Sequence, residues 1–244
     1  MRLDVYISEK GLARSRTEAK TLISEGAVTV DGEVVKKPAT DILGNECVKV
    51  EIDENRFVSR GGLKLDGALS YFNIDVTGLS CIDVGASSGG FTDCLLRRGA
   101  RRVLAVDSGQ GQLADCLLSD PRVTSYEKFN AKLMTPEMLP FTPELAVMDV
   151  SFISAKLIIP AVYACLSDNA GYVLLIKPQF EVGRAGLGKG GIVKDKRLRD
   201  NAVDDVVKFA ENIGFHTLGL IESSIKGGDG NTEYLAYFRK GVVI

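Results

Sequence analysis

Seven short runs rich in branched apolar and aromatic residues recur between positions 81 and 238, with segments of helical period between them. That alternation restricts this part of the chain to a mostly parallel sheet covered by helices on both faces. The runs fall at 81–84, 103–107, 123–127, 145–150, 172–177, 216–221 and 234–238, and helices are expected over 63–71, 90–98, 154–166 and 197–212. Ligands of such sheets bind beyond the carboxyl ends of the strands, near the point where strand order reverses. The residues that follow each strand are therefore the ones to read for function.

The first 58 residues carry a different pattern. Leu3, Val5 and Ile7 open it, and Ser15 and Glu18 have the spacing of a capping box ahead of a helical run with Ala19, Leu22 and Ile23. Gly26 stands where the glycine after a helix belongs. Asp31-Gly32 between Val28-Thr29-Val30 and Glu33-Val34-Val35 is a hairpin signal, and a last strand is expected over 47–52. Where the pattern changes, Gly61-Gly62 interrupts it. We divide the chain into a small α+β module, 1–58, and an α/β domain, 59–244.

His216 is the one histidine, which excludes Ser-His-Asp and Cys-His catalysis and most zinc sites, so no metal is expected and acid–base work falls to Lys, Asp, Glu or Tyr. Five cysteines, odd in number and without a Cys-x-x-Cys pair, fit reduced, buried thiols in a cytoplasmic protein. No signal-peptide pattern and no apolar run of spanning length is present, so no membrane partner is expected. The net charge of −2 means that any nucleic-acid contact must come from local basic patches.

The run at 81–84 leads into Asp83-Val84-Gly85-Ala86-Ser87-Ser88-Gly89-Gly90-Phe91-Thr92-Asp93. Small residues let backbone approach a ligand, and the following helix offers its first amides. A tight turn without a ligand is the alternative. The spacing G-x-x-x-G-G departs from the dinucleotide pattern and favours S-adenosylmethionine, with Asp83, Gly85, Ala86, Ser87, Gly89, Gly90 and Phe91 as contacts. Asp107, after the second strand, is placed either to accept hydrogen bonds from a ribose diol or to cap a helix. Asn130 is placed to meet an adenine edge or simply to make a turn.

Four polar residues stand at element ends: Lys64, Asp149, Lys177 and Glu233. Singly each reads as a solvated terminus. Together, with Pro178 fixing the backbone after Lys177, they read as a site. The motifs Ser59-Arg60-Gly61-Gly62-x-Lys64-Leu65, the glycine loop, Asp149-Val150-Ser151-Phe152-Ile153-Ser154, Lys177-Pro178-Gln179-Phe180-Glu181 and Gly230-Asn231-x-Glu233-Tyr234 resemble the TlyA family, often labelled haemolysin A, whose catalytic domain is similar to FtsJ methyltransferases. Arg2-Leu3-Asp4, Arg14-Ser15-Arg16-x-x-Ala19 and Gly26-x-Val28-x-Val30-Asp31-Gly32 resemble the S4 RNA-binding domain. The resemblance implies a Rossmann-like methyltransferase with a mostly parallel seven-stranded sheet, an α+β RNA-binding domain before it, and a catalytic Lys-Asp-Lys-Glu set at Lys64, Asp149, Lys177 and Glu233. It also implies 2′-O-methylation of cytidine in ribosomal RNA, free or in assembled subunits. Lys177 is then the candidate to steer or accept the hydroxyl proton.

Arg14, Arg16 and Lys20, at the start of the first module's capped helix, are candidate phosphate contacts. Arg60 and the glycine-rich segment 183–191, with Arg184 and Lys189, are the second candidate, against plain chain flexibility. Three rival functions remain: a catalytically silent ribosome-assembly factor, a membrane-active haemolysin, and a small-molecule methyltransferase, since the glycine loop alone does not name the acceptor.

Overall fold

A computed structural model describes residues 1–13, 16–24, 26–51, 57–183 and 186–241, with Thr17 described in its backbone alone. Arg14, Ser15, Ile52, Arg184 and Ala185, all invoked above, lie outside the described residues. The chain forms two compact units, Met1–Arg56 and Phe57–Ile244.

In the first unit, helices α1 (Leu3–Glu9) and α2 (Arg16–Ser24) pack beside a three-stranded antiparallel sheet. Its strands β1 (Val28–Val30), β2 (Glu33–Val34) and β3 (Val48–Val50) lie in the order β2-β1-β3. Leu3 and Ile7, one helical turn apart, bury the same face of α1 with Leu22, Ile23 and Val28. Gly26 has φ +80°, and the Gly26 and Ala27 amides return to Ile23 and Leu22, which closes α2 in a Schellman motif. Asp31 and Gly32 both have positive φ, as a two-residue hairpin of this twist requires.

The second unit holds helix α3 (Gly61–Tyr71), then β4 (Ser80–Val84), α4 (Gly90–Arg97), β5 (Arg102–Val106), α5 (Asp115–Leu118) and β6 (Val123–Tyr126). After them come β7 (Leu145–Met148), α6 (Ile159–Cys165), β8 (Gly171–Ile176), α7 (Lys196–Ile213), β9 (Phe215–Glu222) and β10 (Tyr234–Lys240). Sheet order is β6-β5-β4-β7-β8-β10-β9, parallel except for β10, which runs against both neighbours. β4 and β7 are buried along their whole length, as central strands covered on both faces must be. The chain builds outward from β4 to β6 and then returns to β7 on the other side of β4, so the strand order reverses between β4 and β7.

All seven expected strands are present. The helix expected over 154–166 is broken: a 3-10 turn, Ala155–Leu157, is capped by the Ser154 side chain, and α6 starts afresh at Ile159 with Pro160 in its first turn. A proline there lacks the amide that a continuous helix needs, yet fits a helix start. The cysteine expectation holds for Cys81, Cys94 and Cys165 and fails for Cys47 and Cys116, which are exposed beside β3 and on the outer side of α5. No described helix is long and apolar enough to cross a membrane.

Candidate active site

At the strand-order reversal, β4 runs straight into the glycine loop. The Gly85 and Ala86 amides both donate to the Val106 carbonyl, which folds the loop back over β5. Gly85 has φ +85°, and a Cβ there would run into the Asp149 carbonyl, so the position requires glycine. Asp107 accepts from the Ser87 amide at 2.8 Å and the Gly109 amide at 2.7 Å. It therefore ties the loop to the segment after β5 rather than capping a helix, and each oxygen keeps a lone pair.

Two cavities open around this loop. The first, about 270 Å³, is walled by Arg60, Lys64, Gly85–Ser88, Gly90, Phe91, Asp149, Ser151, Lys177 and Lys226. The second, about 370 Å³, has apolar walls from Val106, Phe129 and Ile153, with Asp107 and Asn130 as polar groups. Gly85, Ser87, Asp149 and Ser151 border both. Asn130 also caps a 3-10 turn, accepting from the Lys132 amide, so its turn role is realised and its cavity position retained.

The strands β7 and β8 stop at Met148 and Ile176, which leaves Asp149 and Lys177 side by side just beyond them. Lys177 Nζ lies 2.5 Å from Asp149 Oδ1, an ion pair out of hydrogen-bond alignment, and donates to Ser151 Oγ at 2.7 Å. Lys64, on α3, donates to Glu233 Oε2 at 2.6 Å; their side chains are 10% and 3% exposed, and Gln179 approaches the other oxygen at 3.4 Å. The fold thus brings all four residues together as two lysine–carboxylate pairs, with Lys64, Asp149 and Lys177 on the wall of the first cavity.

The family model described as FtsJ-like methyltransferase matches residues 57–240. The chain belongs to the FtsJ-like methyltransferase family. An S4 domain model matches residues 1–46. The 16S/23S rRNA (cytidine-2′-O)-methyltransferase TlyA of Mycobacterium tuberculosis is 46% identical over 98% of this chain and 89% of its own. Hemolysin A of Brachyspira hyodysenteriae is 42% identical over 98% and 99%. A solved structure from Streptococcus thermophilus that carries a hemolysin name is 42% identical, with a TM-score of 0.79 over 99% of this chain and 88% of that one.

Two loop residues of this FtsJ-like domain do not reach either cavity. Gly89 (φ +96°) packs under Leu113 and Leu117, where a side chain would collide, so it seats the loop against the neighbouring segment. Asp83 is fully buried: Thr92 Oγ1 donates to Oδ2 at 2.7 Å, and Oδ1 has no hydrogen-bond partner. Burial, opposed by the Thr92 bond and reinforced by the charge of Asp149, pushes its carboxyl up to about 7. An acid that holds its proton more tightly in the fold than in the unfolded chain stabilises the fold at low pH; the contribution is complete below the ordinary carboxyl range and lost as pH rises through about 7. Asp83→Asn is therefore expected to match the parent near pH 4 and to melt higher than it at pH 8, measured by calorimetry. Equal melting differences at both pH values would contradict the assignment.

Of the basic residues singled out from sequence, Arg60 lies on the wall of the first cavity, and Lys20 and Lys189 are exposed. Arg16 also has a structural role. Its Nε donates to the buried Asp4 at 3.1 Å, as does Arg2 at 3.0 Å, and these bonds, with Arg2 foremost, hold the Asp4 carboxyl down to about 2. Arg16 thus ties α2 to α1, with half of its side chain exposed.

Sequence reading missed three residues of the family's Asp-Val-Ser-Phe-Ile-Ser and Lys-Pro-Gln-Phe-Glu motifs. Ser151 holds Lys177. Phe152 is 92% exposed at φ +64°, on the border of the second cavity, with its ring 5.2 Å from that of Phe180. Glu181 accepts from Ser154 Oγ at 2.6 Å and the Ala155 amide at 2.7 Å, fastening this loop to the segment after β8.

Proposed function

We propose that this chain transfers the methyl group of S-adenosylmethionine to a cytidine ribose 2′-oxygen of ribosomal RNA, in the cytoplasm. The observation that carries the reading is the meeting of two lysine–carboxylate pairs with a glycine loop at the strand-order reversal. Names of relatives support the acceptor, and the S4 match supports an RNA contact by the first unit.

The residues suit the cofactor. Asp107 has lone pairs to spare for a ribose diol, and Val106, Phe129 and Ile153 offer the apolar walls an adenine needs. Gly85, Ala86, Ser87, Gly90 and Phe91 are placed to hold the methionyl end, where the first amides of α4 favour a carboxylate. When bound there, S-adenosylmethionine supplies a methyl group already activated by its sulfonium. What this chain adds is placement of the acceptor oxygen and care of its proton; good orientation alone can supply about 7–11 kcal/mol. Lys177, held by Asp149 and Ser151, steers or accepts the 2′-hydroxyl proton. Lys64 adds positive charge to the cavity wall and is itself fixed by Glu233. The exposed Lys189 and Lys20, and Arg60 on the wall of the first cavity, are placed to meet phosphates, and Arg16 keeps half of its side chain exposed for the same purpose.

Phe152 presents an aromatic face at the cavity rim in a backbone conformation that costs a side chain about 1–2 kcal/mol. Strain kept at an exposed ring points to use by a ligand. Phe152→Ala is expected to raise the KM for RNA by the loss of about 1–3 kcal/mol of base stacking, with Phe152→Tyr close to the parent. Unchanged KM in Phe152→Ala would remove the stacking role.

The reading as a whole predicts 2′-O-methylcytidine in digested ribosomal RNA from cells that make the protein and its loss from a deletion strain, read by mass spectrometry. Identical nucleoside profiles in the two strains would overturn it.

A further inference from the structure

We propose that Ser151 is a positioning residue for methyl transfer, whose hydroxyl oxygen accepts a hydrogen bond from Lys177 Nζ and turns that amine toward the first cavity. The inference rests on the transfer reading above and concerns a residue outside the Lys-Asp-Lys-Glu set.

Three observations carry it. Lys177 makes one hydrogen bond and one ion pair among the described residues, and they differ in kind: Asp149 Oδ1 is nearer, at 2.5 Å, but makes no hydrogen bond, whereas Ser151 Oγ accepts one at 2.7 Å. A tetrahedral nitrogen has three positions besides its carbon. With Asp149 on one side and Ser151 on a second, the third is left for an acceptor oxygen.

Second, Ser151 borders both cavities, whereas Lys177 borders the first alone. The hydroxyl stands where the two cavities that the proposed cofactor would span meet, beside Lys177. Third, the serine is exposed, yet its backbone is held from both sides. The Asp149 amide donates to the Val84 carbonyl at 3.0 Å upstream, and Glu181 binds Ser154 Oγ and the Ala155 amide downstream. A hydroxyl on an anchored backbone can set the direction of a long, flexible lysine side chain. Without it, a cation this close to a carboxylate is drawn into an aligned ion pair with Asp149, and the amine loses the direction that Ser151 sets.

The test compares Ser151→Ala and Ser151→Thr with the parent in the full-length chain. Steady-state methyl transfer to ribosomal particles, calorimetric binding of S-adenosylhomocysteine, and a crystal structure of Ser151→Ala are read together. Ser151→Ala is expected to lower kcat by about 10–100-fold, the size of effect that a displacement of about 1 Å produces. KM and S-adenosylhomocysteine affinity stay near the parent's values. Ser151→Thr, which keeps the hydroxyl, recovers most of kcat, and in Ser151→Ala Nζ moves onto Asp149. An unchanged kcat, a loss confined to KM or to cofactor affinity, or failure of Ser151→Thr to recover activity overturns the proposal. If the parent transfers no methyl group to any particle, the transfer reading itself falls, and the position of Nζ in the Ser151→Ala crystal still decides whether Ser151 places the amine.

Discussion

Lys177→Ala is expected to slow methyl transfer by about 10²–10⁴-fold, the usual contribution of a positioned proton-transfer group, while S-adenosylhomocysteine binding and melting temperature stay close to the parent's. Three features of the structure set that expectation. The side chain lies just beyond β8, at the wall of the first cavity, and is 11% exposed, so it is shielded without being sealed off. Its carboxylate partner Asp149 is 23% exposed, and removal of the amine leaves a carboxylate that water still reaches, which keeps the stability cost small. In the proposed reading the cofactor is held by the glycine loop and Asp107, and the partners of Lys177 among the described residues are Asp149 and Ser151 instead. Lys177→Arg separates two roles. Its guanidinium preserves charge and steering but does not accept a proton. Activity near that of Lys177→Ala supports proton acceptance, and activity near the parent's leaves steering alone. Stopped-time transfer assays at saturating cofactor measure all three proteins.

The second large effect concerns folding. Glu233→Ala is expected to destabilise the protein by about 3–5 kcal/mol, because it strands the Lys64 ammonium in a site where it is 10% exposed. The pair spans 169 residues of sequence, from α3 to the start of β10, so it also fixes which part of the C-terminal hairpin faces the cavity. Lys64→Met and Glu233→Leu together remove both charges and are expected to recover much of the lost stability without recovering transfer, since buried pairs are often replaceable by apolar groups of similar size. Urea unfolding of the two single variants and the double variant tests this as a cycle. Single variants that each lose less than about 1 kcal/mol would contradict the buried-pair account.

Much of the architecture was legible because strands buried on both faces must be continuous apolar runs. β7 and β8 read this way directly, β4 did so apart from Ser80 and the buried Asp83, and Asp149 and Lys177 stood out as the first polar residues after β7 and β8. The four-residue helix α5 was not legible, since it is too short to show a helical period. The break before α6 was written in Pro160, but the apolar spacing around it masked the signal. In the site, Ser151, Phe152 and Glu181 escaped notice for a shared reason. Their roles depend on a loop with a positive-φ phenylalanine, and nothing local in the sequence marks that conformation. Glycine at such a position would have been a signal; phenylalanine is not. Asp83 and Gly89 were singled out by the motif, and their packing also supports the loop, through Thr92 on one side and Leu113 and Leu117 on the other. The second role of Arg16, its bond to Asp4, was not legible because it joins two helices across a turn that local spacing does not disclose.

The most direct test is transfer of labelled methyl from S-adenosylmethionine to ribosomal subunits isolated from a strain that lacks this protein, with Lys177→Ala and Asp149→Ala as controls. The account predicts label at a ribose 2′-oxygen of cytidine with the parent protein and a loss of at least about a hundredfold in both variants. Tight binding of cofactor or subunits with no label on any particle would contradict it and favour a catalytically silent role in ribosome assembly.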